Sequence, residues 1–149
     1  MSSTSKLQEI VKLGFTGTRR GMTGPQKETC SRFIVELSPS EFRHGDCIGS
    51  DEEAHGLVRE FAKDCRIIVH PPLNESYRAF CVGDRICPQE DYLKRDRAIV
   101  RASSIFLATP AGFQEEIRSG TWYTVRYAES CNLRTLIVFP DGLKRWRNP

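Results

Sequence analysis

The chain has 149 residues, of which 39% are hydrophobic and 28% charged, so one core of ordinary size accounts for its length and composition. These proportions exclude a disordered tail, a collagen-like repeat and a heptad coiled coil. The 22 Lys and Arg against 19 Asp and Glu leave a net charge of only +3, too balanced for a DNA-wrapping surface but compatible with a compact anionic ligand.

Residues 1–9 are polar and read as a flexible leader rather than a signal peptide, and no stretch reaches the roughly 20 apolar residues of a membrane span. A cytoplasmic protein without membrane contact is expected. Its six cysteines are then expected to be free thiols, since a chain of this apolar content does not need staples.

Ile10 to Gly17 reads as an apolar strand running into a glycine turn, and Thr23-Gly24-Pro25 signals a helix start whose apolar face holds Phe33, Ile34 and Leu37. Ser38-Pro39-Ser40 stops that helix. Glu41 to His44 is a brief second strand, ending in Gly45-Asp46-Cys47-Ile48-Gly49-Ser50-Asp51, where Ser50 or Asp51 is placed to cap the next helix. Ala54, Leu57, Val58, Phe61 and Ala62 recur at helical spacing, and Arg66 to His70 is a continuous apolar strand broken by Pro71-Pro72. Leu73 to Glu90 has little periodicity and reads as a functional loop. Asp91 to Arg101 is helical, Ser104 to Pro110 a buried strand, Ser119-Gly120-Thr121 opens a further helix, and Thr135 to Phe139 makes the last strand. Residues 143–149 are left as a basic tail. Five alternations of strand and helix imply a Rossmann-like three-layer α/β/α fold with a parallel sheet of about five strands, in a single domain spanning residues 1–149.

In such a sheet the ligand lies beyond the carboxyl ends of the strands, where helix N-termini present unpaired N–H groups. Thr16, Gly17, Thr18 and Arg19 supply a close-approach glycine, hydroxyls and a guanidinium suited to phosphate. Gly45, Gly49, Ser50 and Asp51 stand where amides can hold an oxygen-rich group, Asp46 where it can accept from a ribose hydroxyl or a base, and His70 at the next strand end. Arg118, Ser119, Gly120 and Thr121 form a second phosphate candidate, with Trp122 offering a ring face and Pro110 closing the preceding strand. Among Arg78, Arg85, Arg95, Arg97 and Arg101, helical spacing aligns Arg97 with Arg101 and turns Arg95 elsewhere, while Tyr77, Phe80 and Tyr92 are candidates for stacking on a base. Glu115 or Glu116 is placed to position water at an N-glycosidic bond. The spacings of the dinucleotide fingerprint and the P-loop are absent, as are C-x-x-C and H-E-x-x-H, so neither a dinucleotide cofactor nor a metal is expected despite His44, His55, His70 and Cys47.

Gly14-Phe15-Thr16-Gly17-Thr18-Arg19, His44 to Asp51, Ala108-Thr109-Pro110 and Arg118 to Trp122 together resemble the SLOG superfamily, Rossmann-like domains that include DNA-processing proteins and the LOG phosphoribohydrolases. The resemblance spans Val11 to Gly142. It implies a nucleotide-type ligand, a homodimer and, counting fifteen residues back from Pro110, that Arg95 corresponds to the LOG catalytic or phosphate-side arginine. The sequence departs from the LOG loop P-G-G-x-G-T-x-x-E by inserting Phe113 to Arg118 and by placing Thr124 where the glutamate stands. Glycosidase activity would then fall to Glu115 or Glu116. Three functions follow in order: a binder of a nucleotide, ADP-ribose-like or cyclic ligand; a phosphoribohydrolase releasing base and ribose 5-phosphate; and a nucleic-acid module using Arg134, Lys144, Arg145, Trp146 and Arg147.

Overall fold

A computed structural model describes residues 10–148. The leader proposed for residues 1–9 lies outside them. In chain order the elements are β1 (Lys12–Gly17), α1 (Gly24–Leu37), β2 (Glu41–His44), α2 (Ser50–Phe61), β3 (Arg66–Val69), a 3-10 turn (Glu75–Tyr77), β4 (Arg85–Ile86), α3 (Tyr92–Arg101), β5 (Ile105–Thr109), α4 (Gly120–Ser130), β6 (Thr135–Val138) and β7 (Lys144–Arg147).

The strands form one sheet in the order β4-β3-β2-β1-β5-β6-β7, all parallel except β7, which runs antiparallel to β6. Two strands beyond the expected five are therefore present. β4 is only two residues long, and Arg85 and Ile86 are exposed, so no alternation marks it. β7 consists of residues assigned above to a basic tail: the turn at Asp141 and Gly142 returns the chain so that Trp146 pairs opposite Leu136, and its indole packs edge-on against Phe33 at 5.9 Å. Lysine and arginine on an edge strand also discourage pairing with other chains.

The central strands read as apolar runs because helices cover both faces. Leu13, Phe15, Phe42, Ile67, Leu107 and Leu136 are fully buried, joined from α1 and α2 by Ile34, Ala54 and Val58, while Phe106 packs with Ile99 and Ala128 from α3 and α4. α1 starts at Thr23, whose hydroxyl accepts from Gln26 N while the Gln26 side chain accepts from Thr23 N, a reciprocal cap ahead of the proline. Among the described residues no helix is long and apolar enough to cross a membrane, and all six cysteines are unpaired thiols.

The sheet order places the functional edge. The chain steps outward from β1 through β2, β3 and β4, then crosses to the other side of β1 for β5. Connections leave β1 and β5 in opposite directions, and a crevice opens between them at their carboxyl ends.

Candidate functional site

That crevice holds a cavity of about 370 Å³ lined by Phe15 to Arg19 from the end of β1, Gly45, Cys47 and Asp51 from the turn into α2, Tyr92, Arg95, Asp96 and Ile99 from α3, and Ser119 to Thr121 at the start of α4. The two loops expected to hold phosphate, at residues 16–19 and 119–121, thus face one space although a hundred residues separate them. A larger cleft of about 620 Å³ beside β7, lined by Arg32, Phe113, Phe139 and Lys144 among others, meets no helix N-terminus.

Three helix N-termini differ in what already occupies them. α1 is closed by its own cap. α2 carries Asp51, Glu52 and Glu53 in its first turn, and its cap is Gly49; the side-chain cap expected from Ser50 or Asp51 does not form, because both lie inside the first turn. Gly49 adopts φ +89°, and a Cβ there would meet the Arg19 carbonyl oxygen at 2.3 Å, so the glycine lets the α2 turn close against the β1 loop. α4 has no acid in its first turn. Ser119 Oγ accepts from Trp122 N at 3.3 Å, leaving the Gly120 and Thr121 amides without a partner among the described residues. The positive end of the α4 dipole therefore opens on the cavity unneutralised.

The same cavity is lined by a buried charge cluster. Gly45 is where a side chain cannot be: a Cβ would stand 2.8 Å from Arg95 Cζ. Arg95 Nη1 donates to Gly45 O at 3.0 Å and to Cys47 Sγ at 3.3 Å, while Nε and Nη2 both donate to Asp96 Oδ1. Burial opposes the Arg95 charge, but Asp96, Cys47 and Asp51 hold the guanidinium firmly protonated. Most of its fork is engaged within the protein, so Arg95 positions the cavity wall more than it clamps a phosphate. Asp96 Oδ2 accepts from Thr124 Oγ1 at 3.2 Å. Burial raises the Asp96 carboxyl, with Arg95 and Thr124 pulling it back. Asp51 Oδ2 accepts from Cys47 N at 3.2 Å, and burial pushes this carboxyl up to about 7 against the pull of Arg95. The Cys47 thiol is raised by burial and by Asp51, which leaves it an inert lining group.

Several expected site residues serve elsewhere. Asp46 does not line the cavity: fully buried at φ +56°, it accepts from Arg78 Nε and Cys81 N, both at 2.8 Å, and so fastens the 77–81 loop to the α2 turn. Arg78 is the other half of that pair. His70 is buried beside Arg43, and burial and Arg43 lower it to about 4. Ser50 packs against Gly17, and the Pro110 carbonyl accepts from Gln26 Nε2. Trp122 is buried among Ala108, Val125 and Ile137, which removes its ring from any ligand. Glu115 is held by Arg126 and Arg147, while Glu116 and Arg118 are exposed outside the cavity. Phe80 is 58% exposed under Arg78, and Tyr77 stacks beneath Arg19 at 4.0 Å, so of the three aromatic candidates Tyr92 lines the cavity. Asp96 and Ile99 were missed, although residues 92, 95, 96 and 99 share one face of a helix and that spacing was the available signal.

His44, His55 and Cys81 also come together, with ligand atoms within 4.8 Å of one another. The donor set does not fit a metal. His44 Nδ1 accepts from Asp46 N at 3.0 Å, so the neutral ring carries its proton on Nε2 and points it at His55 Nδ1, 2.9 Å away. No lone pair remains on Nε2 for an ion. Burial, His55 and His70 all hold His44 well below its ordinary range.

Sheet order, covered faces and an edge cavity define a Rossmann-like α/β domain. No protein-family model matches the chain and no curated protein does. Among solved structures it is similar to the molybdenum cofactor binding protein from the phototrophic bacterium Rippkaea orientalis, at 16% identity over 89% of this chain and 78% of that one, with TM-score 0.67. It is also similar to TM1055, a structural-genomics target solved by X-ray methods, at 16% identity over 84% and 72% of the two chains, with TM-score 0.59. Likeness at this identity shows a shared fold.

Proposed function

We propose that the chain is a single SLOG-like domain that binds a nucleotide or nucleotide-derived ligand in the cavity between β1, α2, α3 and α4. The observation that carries this reading is the polarity of the cavity. Two free amides at an acid-free helix start line it together with the buried carboxyls Asp51 and Asp96, so donors for an anion and acceptors for hydroxyls share one space. A molecule with a phosphate at one end and sugar hydroxyls or a heterocycle at the other satisfies both. Arg19, stacked on Tyr77, adds a cation to the lining, and Tyr92 offers a ring to the base. A cavity of about 370 Å³ falls within the range of small-ligand sites. The fold shared with a protein named for binding a cofactor is consistent with small-ligand capture.

The rival readings lose their residues. Hydrolysis assisted by Glu115 or Glu116 would need a carboxylate in the cavity that neither supplies, and Thr124, in place of the LOG glutamate, holds Asp96. Of the C-terminal cations proposed for nucleic acid, the three arginines are engaged: Arg134 lies over Trp146, Arg145 over Phe139, and Arg147 pairs with Glu115 and Glu129. Calorimetric titration with mono-, di- and cyclic nucleotides and ADP-ribose tests the proposal. Saturable binding by at least one member, lost in Gly120→Asp, is expected; no binding by any member at millimolar concentration refutes it.

A further inference from the structure

The charges inside the cavity do not balance. Its one buried cation, Arg95, gives both Nε and Nη2 to Asp96 Oδ1 and divides Nη1 between Gly45 O and Cys47 Sγ. Asp96 is further satisfied by the Thr124 hydroxyl. Asp51 has no such arrangement. Its side chain lines the cavity, only Oδ2 is held, by the Cys47 amide, and Oδ1 receives no donor among the described residues.

The groups around Asp51 come from every element packed on it. α3 contributes Arg95, Asp96 and the Tyr92 phenol; the turn into α2 contributes Cys47 and Asp46, the latter tied to Arg78; the β1 loop contributes Arg19, drawn outward over Tyr77; and the start of α4 contributes no titratable side chain. An anionic ligand entering this space meets two buried carboxyls and one cation that is already committed. Adding a phosphate to an ionised Asp51 would place like charges together in a desolvated cavity, which is the circumstance that drives a carboxylate to take up a proton.

We propose that Asp51 enters the ligand complex as a neutral carboxylic acid, donating from Oδ1 to an acceptor atom on the sugar or heterocycle of the bound nucleotide, so that ligand capture takes up one proton from solvent. The proposal rests on the nucleotide reading above and deepens it by assigning a hydrogen-bond donor to a residue otherwise read as an acceptor. Asp96 remains the ionised partner of Arg95, and the phosphate stays at the α4 amides. Burial already brings the Asp51 carboxyl up to about 7 in the free protein, and the ligand's charge carries it well above that in the complex.

The test is calorimetric titration of the panel member that binds with the largest heat, in two buffers of different ionisation enthalpy, with wild type and Asp51→Asn. Asparagine keeps an oxygen for the Cys47 amide and presents an N–H₂ donor where the acid proton would lie. The wild type is expected to take up nearly one proton per ligand at about pH 8, and its affinity to fall about tenfold per pH unit above roughly pH 7. Asp51→Asn is expected to bind within about threefold of wild type at pH 6, as one neutral donor replaces another, and to lose that slope. A ligand with its own titrating phosphate contributes equally to both proteins, so the difference isolates Asp51. Equal proton uptake by the two proteins overturns the proposal while leaving the nucleotide reading intact. So does a uniform loss of affinity in Asp51→Asn with the slope unchanged, which is what a purely structural residue would give. Failure of every panel member to bind at any pH overturns both. At about pH 8 the ligand phosphate is already ionised and has no proton to take up at amide donors, so uptake by the wild type alone reports Asp51 and a poorly folding Asp51→Asn does not remove the test.

Discussion

Asp46→Asn separates the two roles that can be assigned to this carboxylate. Its side chain is fully buried, one oxygen accepts from Arg78 Nε at 2.8 Å, the other accepts from Cys81 N at 2.8 Å, and Arg78 is itself only 13% exposed. Asparagine tolerates the φ of +56° as readily as aspartate and keeps one acceptor, so the substitution removes the charge without straining the backbone. Removing one partner of a buried ion pair costs about 3–5 kcal/mol. The lower end applies here, because Arg78 retains Glu75 at 3.5 Å and the Phe80 ring at 4.4 Å as alternative company. A loss of about 3 kcal/mol corresponds to a drop of roughly 6–12 °C in Tm for a chain of this length. Urea unfolding followed by far-UV circular dichroism measures the loss, and calorimetry with the best nucleotide of the panel measures function below the new transition. Ligand affinity is expected to stay within about threefold of wild type, since neither Asp46 nor its donors Arg78 and Cys81 line the cavity. A loss of stability below about 1 kcal/mol would show that the pair does not hold the loop, and a tenfold loss of affinity in the folded variant would return Asp46 to the ligand.

Gly45→Ala places a methyl 2.8 Å from Arg95 Cζ and is expected to push the guanidinium off Gly45 O and Asp96, lowering nucleotide affinity by at least about tenfold in calorimetric titration while the fold survives. Asp51→Asn is expected to stabilise the free protein at pH 8 but not at pH 4. A carboxyl raised to about 7 when folded loses stability progressively as pH climbs from its unfolded value to the folded one, by at most about 4 kcal/mol, and asparagine has no such loss; urea midpoints across that interval check the sign. Glu115→Ala breaks pairs with Arg126 and Arg147 whose side chains are 25% to 36% exposed, so a change of no more than about 1 kcal/mol in unfolding free energy and unchanged ligand affinity are expected. Equimolar zinc is expected to leave the melting temperature within about 1 °C, since the His44 tautomer denies an ion its Nε2 lone pair; a rise of several degrees would show that the His44–Asp46 bond yields.

Local pattern determined a good deal of this protein. Apolar runs at Leu13, Ile67, Leu107 and Leu136 set the parallel strands, Thr23 with Gln26 and Ser119 with Trp122 set two helix starts, and the short strand-to-helix loops named the edge where a ligand would sit. Each of these is decided within a few residues, by periodicity or by one hydrogen bond to a cap. Tertiary structure alone decided that β5 lies beside β1, because strand order depends on which faces pack and not on any strand's own residues. That order brought Thr16–Arg19 to Ser119–Thr121, and it turned β7 from a basic tail into an edge strand. It also divided the polar residues of the strand ends. Asp46 and Asp51 lie five residues apart in one glycine-rich turn, yet backbone direction sends the first to Arg78 and Cys81 and the second into the cavity. Composition cannot distinguish them, since the energy of a buried carboxylate is set by the donors that reach it from distant parts of the chain.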